Sequence, residues 1–365
     1  MKAALFSSVP YQGPAPRGIW PVPGDAFSTE VAQRSMEASL NQFQLADEIG
    51  FDWVTVAEHH YAPMSLTPNP MIMAGALTQR VKRANIALLG PDIPILNPVR
   101  VAEEFAMIDT LTGGRLIAGM MRGTSNEYVT YGLNPAESHD RFDESLKLIL
   151  KAWTEPQPFG WQGRHYEFRA ISIWPKPVQK PHPPVFISAS SPESGEFAAR
   201  NHISVGFAFT TVPIAKKSVS WYREQCAIAG WQPEPDDVLY RLTIHVAESD
   251  EQAIDDIVAA GGAERRPAYS TSNKALDDTA TALGYYGRDT ATQRERHLAH
   301  DLKERLELGQ LIAGKPETVL SQIRNIHAEL GAGILELIFQ PVGPDKTRKA
   351  LELFGEKVLP RMREI

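Results

Sequence analysis

The sequence predicts an α/β fold, a (β/α)8 TIM barrel carrying insertions, and three observations lead there. Short apolar, β-branched or aromatic runs alternate with segments of helical period, the pattern of parallel strands joined by crossover helices. Eight such runs are present, whereas an open doubly wound sheet usually stops at about five or six strands. The chain of 365 residues has room for that barrel plus excursions, and it reads as one domain spanning 1–365.

Ala3 to Val9 is the first strand. Residues 33–49 follow as a helix because Met36, Leu40, Phe43 and Ala46 recur on one face, and Gly50 stops it. Asp52 to Ala57 is the second strand, 71–82 a helix, Asn85 to Leu89 the third strand, and Val99 to Leu111 a helix closed by Thr112, Gly113 and Gly114. Arg115 to Met121 makes the fourth strand, and a helix runs from about Asp140 to Trp153. Val185 to Ser190, Ile203 to Phe209, Leu239 to Val246 and Ile334 to Gln340 complete the eight. Two stretches fall outside the repeat: 155–182, rich in proline and aromatics, and 261–311, polar and charged. Both read as insertions, the second as a lid over the active site with disorder as the competing account, since long excursions in compact domains are usually binding loops.

Composition excludes several function classes. With 37 basic and 44 acidic side chains the formal charge is -7, so no net positive field exists to hold nucleic acid or an anionic membrane. The single thiol, Cys226, excludes an internal disulfide framework and a multi-cysteine metal site, and it points to a reducing compartment, the cytoplasm by default. No run approaches the ~18 apolar residues of a membrane helix, so neither signal peptide nor anchor is expected.

In a barrel of this kind the chemistry sits where strands end and the following loops begin. The second strand ends in Ala57-Glu58-His59-His60-Tyr61, which gathers titratable groups at the mouth. Adjacent residues of an extended strand point to opposite sides, so His59 and His60 cannot readily share a metal; one faces the pocket while the other packs outward. A histidine near its unperturbed pKa of ~6.5 serves as a general base or a hydrogen-bond donor to a reactive oxygen; structural histidines bonded to backbone are the alternative. The fourth strand ends Gly119-Met120-Met121-Arg122-Gly123, where small residues allow close approach and Arg122 can clamp a phosphate. The fifth ends Ala189-Ser190-Ser191-Pro192-Glu193, with Ser191 as N-cap and Pro192 as first helical residue. Hydroxyls, backbone amides and the positive helix end there make a phosphate seat, with Arg122 as countercharge and simple capping as the competing account.

Other motifs carry nothing. Gly309 to Lys315 has phosphate-loop spacing, but Pro316 stands where the magnesium-binding hydroxyl belongs and no strand precedes it; a turn before a helix at Pro316 fits better. Gly331-Ala332-Gly333 lacks the third glycine of a dinucleotide fingerprint. No nucleophile elbow or zinc-protease helix occurs.

Taken together, Ala57 to Tyr61, Asn97 to Glu104, Asp109 to Arg115, Gly119 to Gly123, Pro184 to Glu193 and Gly314 to Gln340 resemble the bacterial-luciferase-like flavin monooxygenases. The resemblance covers most of the chain outside the two insertions and implies a luciferase-like barrel, usually dimeric, that uses reduced FMN delivered by a separate flavin reductase. Carried over by position, it implies that Ala189, Ser190, Ser191 and Arg122 hold the FMN phosphate, and that His59 is the catalytic histidine with His60 and Glu58 orienting the site. It also maps a non-prolyl cis peptide beneath the flavin ring onto Leu89-Gly90, with a cis Gly90-Pro91 bond as the alternative. Met121 stands near the reactive flavin carbon where luciferase has a cysteine, which argues against light emission but not against oxygenation. Phe6, Met64, Phe207, Phe209 and Tyr269, some of them barrel core, would line an apolar pocket. The expectation is therefore an FMN-dependent monooxygenase acting on a small, largely apolar organic substrate. A deazaflavin-dependent dehydrogenase and a non-catalytic flavin-binding subunit are the alternatives.

Overall fold

The computed structural model describes residues 1–16, 19–262 and 301–365. Parallel strands β1 (Lys2–Phe6), β2 (Trp53–Val56), β3 (Asn85–Leu88), β4 (Leu116–Met120), β7 (Val185–Ser188), β8 (Ser204–Phe207), β9 (Val238–Val246) and β11 (Ile334–Phe339) pair in that order. β11 then pairs back onto β1, so the eight strands close into the expected barrel.

Helices between the strands bury their apolar faces against the barrel. The helix α1 (Thr29–Ile49) starts where Ser28 Oγ accepts from the Val31 amide at 3.3 Å and ends at Gly50, whose φ of 99° is a left-handed cap. The next two helices are α2 (Pro70–Arg80) and α3 (Pro98–Thr112). Asn97 caps α3 through the Val99 amide at 3.0 Å, with Pro98 as the first helical residue. Ala4, Trp53, Ala87, Leu89, Ile117, Phe186, Leu239 and Ile334 form one apolar cluster inside the barrel, while residues of the other parity, such as Val54, Leu88 and Val205, join the larger core under the helices.

Both excursions differ from expectation where they are described. Residues 155–182 contain an antiparallel hairpin, β5 (Phe159–Gln162) with β6 (Glu167–Ile171), outside the barrel sheet. Glu144 holds it to the barrel by accepting from Trp161 Nε1 at 3.0 Å and the His165 amide at 2.9 Å. The stretch read as a turn before Pro316 is instead the strand β10 (Leu311–Gly314), which pairs with Thr243 to Val246 of β9. β8 covers only Val238 to Tyr240 of the same strand, so β10 takes the edge that β8 leaves open. Most of the proposed lid, 263–300, lies outside the described residues. Among the described residues no helix is long and apolar enough to cross a membrane.

Candidate functional site

The accessible groups converge on the mouth at the strand C-termini. Three residues there have positive φ without being glycine: Val9 at 53°, Tyr61 at 55° and Phe209 at 54°. A left-handed β-branched or aromatic residue is costly, and such strain clusters where loops are held for function. The chain near the N-terminus braces this rim: Trp20 Nε1 donates to the His60 carbonyl at 3.0 Å and the Val22 amide to the Tyr61 carbonyl at 3.0 Å.

The two histidines, which follow the end of β2, separate onto different carboxylates. His60 is buried and its Nε2 lies 3.0 Å from Glu58 Oε1, while Glu58 Oε2 accepts from the Asp92 amide at 3.2 Å. His59 keeps 22% of its side chain exposed and sets its Nδ1 3.4 Å from Glu127 Oε1. Glu58 therefore orients His60, and the carboxylate serving His59 is Glu127, which the reading of the sequence missed. Its signal was present: Thr124 to Glu127 is a T-x-x-E capping box opening the short helix α4 (Ser125–Thr130). Glu127 also accepts from the Thr124 amide at 2.8 Å and from the Thr124 hydroxyl. Burial pushes the Glu127 carboxyl up, but the hydrogen bond and charge of His59, with the Thr124 bonds, outweigh it and hold Glu127 below the ordinary glutamate value. With Nδ1–H given to Glu127, the His59 Nε2 lone pair is left as a proton acceptor.

The residues expected to seat a phosphate, Arg122 and Ser190, follow the C-terminal ends of two paired strands, in which Met120 lies opposite Ile187. Arg122 donates to Ser138 Oγ at 3.2 Å, and Ser190 is exposed. The helix α6 (Pro192–Arg200) does open there, but its cap is partly engaged: the Ser191 amide donates to Ser194 Oγ at 3.2 Å and the Ser194 amide to Ser191 Oγ at 3.3 Å. A guanidinium, serine hydroxyls and a helix N-terminus remain a donor set suited to a phosphate, with the exposed Glu193 in the same turn an opposing charge.

The glycines at the fourth strand serve packing. A Cβ on Gly119 would lie 2.3 Å from the Leu88 carbonyl oxygen, and one on Gly90 2.6 Å from Met121 Cβ. The Leu89–Gly90 bond is cis, and Gly90–Pro91 is not among the cis bonds.

Of the pocket residues, Phe6 and Phe209 come together, Met64 is half-buried, and Tyr269 lies outside the described residues. Phe207 is not brought to the mouth: it is 1% exposed in the core between barrel and helices, because its strand parity turns it outward. Between Phe6 and Phe209 sits a group absent from the sequence reading. Arg241 places its guanidinium 3.7 Å from the Phe6 ring centroid and 5.6 Å from that of Phe209. It ion-pairs with Glu336, its register partner on β11, which is fully buried. The pocket floor is thus polar at one point. Among the described residues no group of histidine, cysteine and carboxylate side chains could hold a metal.

Comparison with known proteins agrees with the barrel. The family model described as luciferase-like monooxygenase matches residues 19–333, and the chain belongs to that family. It is 29% identical over 343 residues to an F420-dependent glucose-6-phosphate dehydrogenase of Amycolatopsis mediterranei, covering 88% of this chain and 92% of that protein. It is 28% identical over 219 residues, 58% of this chain, to the oxygenase component of the flavin-dependent trigonelline monooxygenase of Acinetobacter baylyi. Two curated relatives, that one included, are spanned over only 52% and 59% of their lengths. The oxygenating constituent of 3,6-diketocamphane monooxygenase from Pseudomonas putida, a type II Baeyer-Villiger monooxygenase solved in complex with FMN, shares the fold at TM-score 0.75 with 19% identity, covering 99% of this chain and 98% of that one.

Proposed function

We propose that this protein is an oxidoreductase, the oxygenase component of a two-component monooxygenase. It uses reduced FMN from a separate flavin reductase, together with O2, to oxygenate a small, largely apolar organic molecule. In this reading it works as a cytoplasmic homodimer. Reduced FMN, when bound, supplies the oxygen activation, and the chain supplies binding, orientation and a proton. Arg122, Ser190 and the amides around Ala189 and Ser191 would hold its phosphate, and Leu89, Gly90 and Met121 would meet its ring system. His59 accepts or returns a proton at Nε2 while Glu127 fixes its tautomer, and the buried Glu58–His60 pair stiffens the loop beneath it. Phe6, Met64 and Phe209 would exclude water from the substrate, with Arg241 meeting any polar end.

The observation that carries this reading is the partly exposed His59, tied to a buried carboxylate, on the same mouth as the Arg122 and Ser190 donor set. A second reading, a deazaflavin-dependent dehydrogenase, is favoured by the 29% identity to an F420-dependent enzyme over most of both chains. Equilibrium binding of FMN, reduced FMN and F420, followed by substrate-dependent oxygen uptake with a generic reductase, separates them. Tight F420 binding with no oxygen uptake would replace the first reading by the second. Flavin binding with no turnover on a broad panel of aldehydes, ketones, terpenes and aromatic amines, unchanged by His59→Ala, would mark a non-catalytic subunit.

A further inference from the structure

The pocket floor carries hydrogen-bond donors that no described residue uses. Ala4, Leu239 and Ile334 belong to the apolar cluster inside the barrel. Phe6, Arg241 and Glu336 stand two residues further along the same three strands, so they face the same interior one layer nearer the mouth. At the β7 side of the interior the barrel is open: Ser188, two residues beyond the inward Phe186, is exposed, and its register partner Gly206 has no side chain to fill the space. Arg241 keeps 8% of its side chain exposed and sets its guanidinium 3.7 Å from the Phe6 ring centroid, with the exposed Phe209 at 5.6 Å. A guanidinium carries five N–H donors in a planar fork. The fully buried Glu336 takes the one on Nε, and among the described residues Nη1 and Nη2 have no hydrogen-bond partner. Buried donors are normally satisfied, so a free pair on a side chain more than nine-tenths buried marks a place for an acceptor.

We propose that Arg241 reads a carboxylate, and that the substrate is an organic acid whose apolar body lies against Phe6 and Phe209. The parallel N–H groups on the Nη side match the two oxygens of a carboxylate, and bidentate pairs of this kind are the strong, directional ones. Glu336 already balances the charge of Arg241, so the acid is chosen by the fork rather than by net charge. An amide of the same shape brings one acceptor oxygen, meets one donor and turns its own N–H toward the other. The Phe6 ring beneath the guanidinium holds the fork in place before the ligand arrives. In the ring of eight strands β9 stands opposite β3, so an acid end on Arg241 aims the rest of the molecule across the barrel at the Leu89–Gly90 turn. The inference rests on reading the mouth as a substrate pocket and names the class of molecule that the pocket takes.

The test is titration calorimetry on the full-length protein at neutral pH, with and without FMN, using two matched pairs as probes: phenylacetate with phenylacetamide, and hexanoate with hexanamide. In the wild type each acid should bind about tenfold or more tightly than its amide. The double change Arg241→Met with Glu336→Leu removes both charges and keeps the floor filled, so the acid preference should vanish while the amides stay within about threefold of their wild-type affinity. Arg122→Ala should keep the preference, which separates this site from the phosphate seat. Equal binding of acid and amide overturns the proposal, as does binding of neither acid below about 10 mM. So does a preference that survives the double change or disappears in Arg122→Ala. If the double variant fails to fold, Arg241→Lys decides, because it keeps a cation beside Glu336 without the planar fork: the preference should fall by about fivefold or more, and an unchanged preference overturns the proposal. Acid preference in a protein that binds neither FMN nor F420 removes the flavin reading and leaves this one standing; flavin binding without acid preference removes this one alone.

Discussion

Replacing Glu127 by alanine strips three donors of one acceptor: the Thr124 amide at 2.8 Å, the Thr124 hydroxyl, and His59 Nδ1 at 3.4 Å. The hydroxyl can rotate to another partner, but the amide and the ring nitrogen cannot, and stranding each costs ~1–3 kcal/mol. The amide belongs to the capping box that opens α4, whose loss is part of the same cost. Because His59 keeps some exposure, the sum should fall at about 2–4 kcal/mol, measured by equilibrium urea denaturation. Turnover should drop by about 100-fold as His59 loses its tautomer and orientation. Glu127→Gln keeps the shape and loses the charge, so it should cost roughly half as much. The pH dependence has a definite sign. A carboxyl held below its unfolded value contributes stability that is fully present above that unfolded value and is lost as the pH falls through the folded one. The gap between wild type and Glu127→Gln should therefore be flat from about pH 6 to 8 and close below about pH 4. If Glu127→Ala stays within about 0.5 kcal/mol of wild type and turns over normally, Glu127 is not the support of His59 and the assignment of roles at the mouth fails.

The other predictions concern groups that act separately. His59→Ala should leave FMN affinity unchanged and lower turnover by about 100-fold to 10,000-fold, read from steady-state kinetics beside a binding isotherm. Arg122→Ala should weaken FMN by about 10-fold to 100-fold while leaving riboflavin, which lacks the phosphate, nearly untouched; equal losses for both would remove Arg122 from the phosphate seat. Gly119→Ala drives a methyl to 2.3 Å from a backbone oxygen that cannot give way, and should cost about 1–3 kcal/mol with no change in flavin preference. Arg241→Met leaves Glu336 buried without its cation and should cost about 3–5 kcal/mol, much of which the double change with Glu336→Leu should restore.

Most of the barrel was legible because its eight strands are short apolar runs bounded by caps that mark themselves. Asn97-Pro98 and Ser191-Pro192 open helices and Gly50 and Gly113 close them, as local chemistry demands. Strand ends were read too long, Val9 for Phe6 and Ser190 for Ser188, since residues lining the mouth stay apolar or small after the ladder has stopped. β10 was hidden because Leu311 to Gly314 lies in a glycine-bounded stretch that reads as a turn before Pro316, and its pairing with β9 depends on where β8 ends. Helix α1 begins at Thr29 rather than near 33 because Ser28 supplies a cap before the apolar stripe starts. At the site, Glu58, His59 and His60 announced themselves as a run. Glu127, Arg241 and Glu336 stood out less, because their partners at the site, His59 for Glu127 and each other for Arg241 and Glu336, lie far away in the chain.

That difference also explains why a two-histidine run yields two unequal histidines. Just past the end of β2 each histidine meets a carboxylate from another source: His60 meets Glu58 from the same loop and His59 meets Glu127 from a helix begun after β4. The inner histidine is sealed, with 4% of its side chain exposed, while its neighbour keeps 22%. Exchange with a bound molecule is therefore open to His59 and closed to His60. A variant at His60 should act chiefly on the folding of the β2 loop, and one at His59 on turnover. The same sequence dipeptide divides into a sealed and an accessible half because a buried carboxylate meets each histidine.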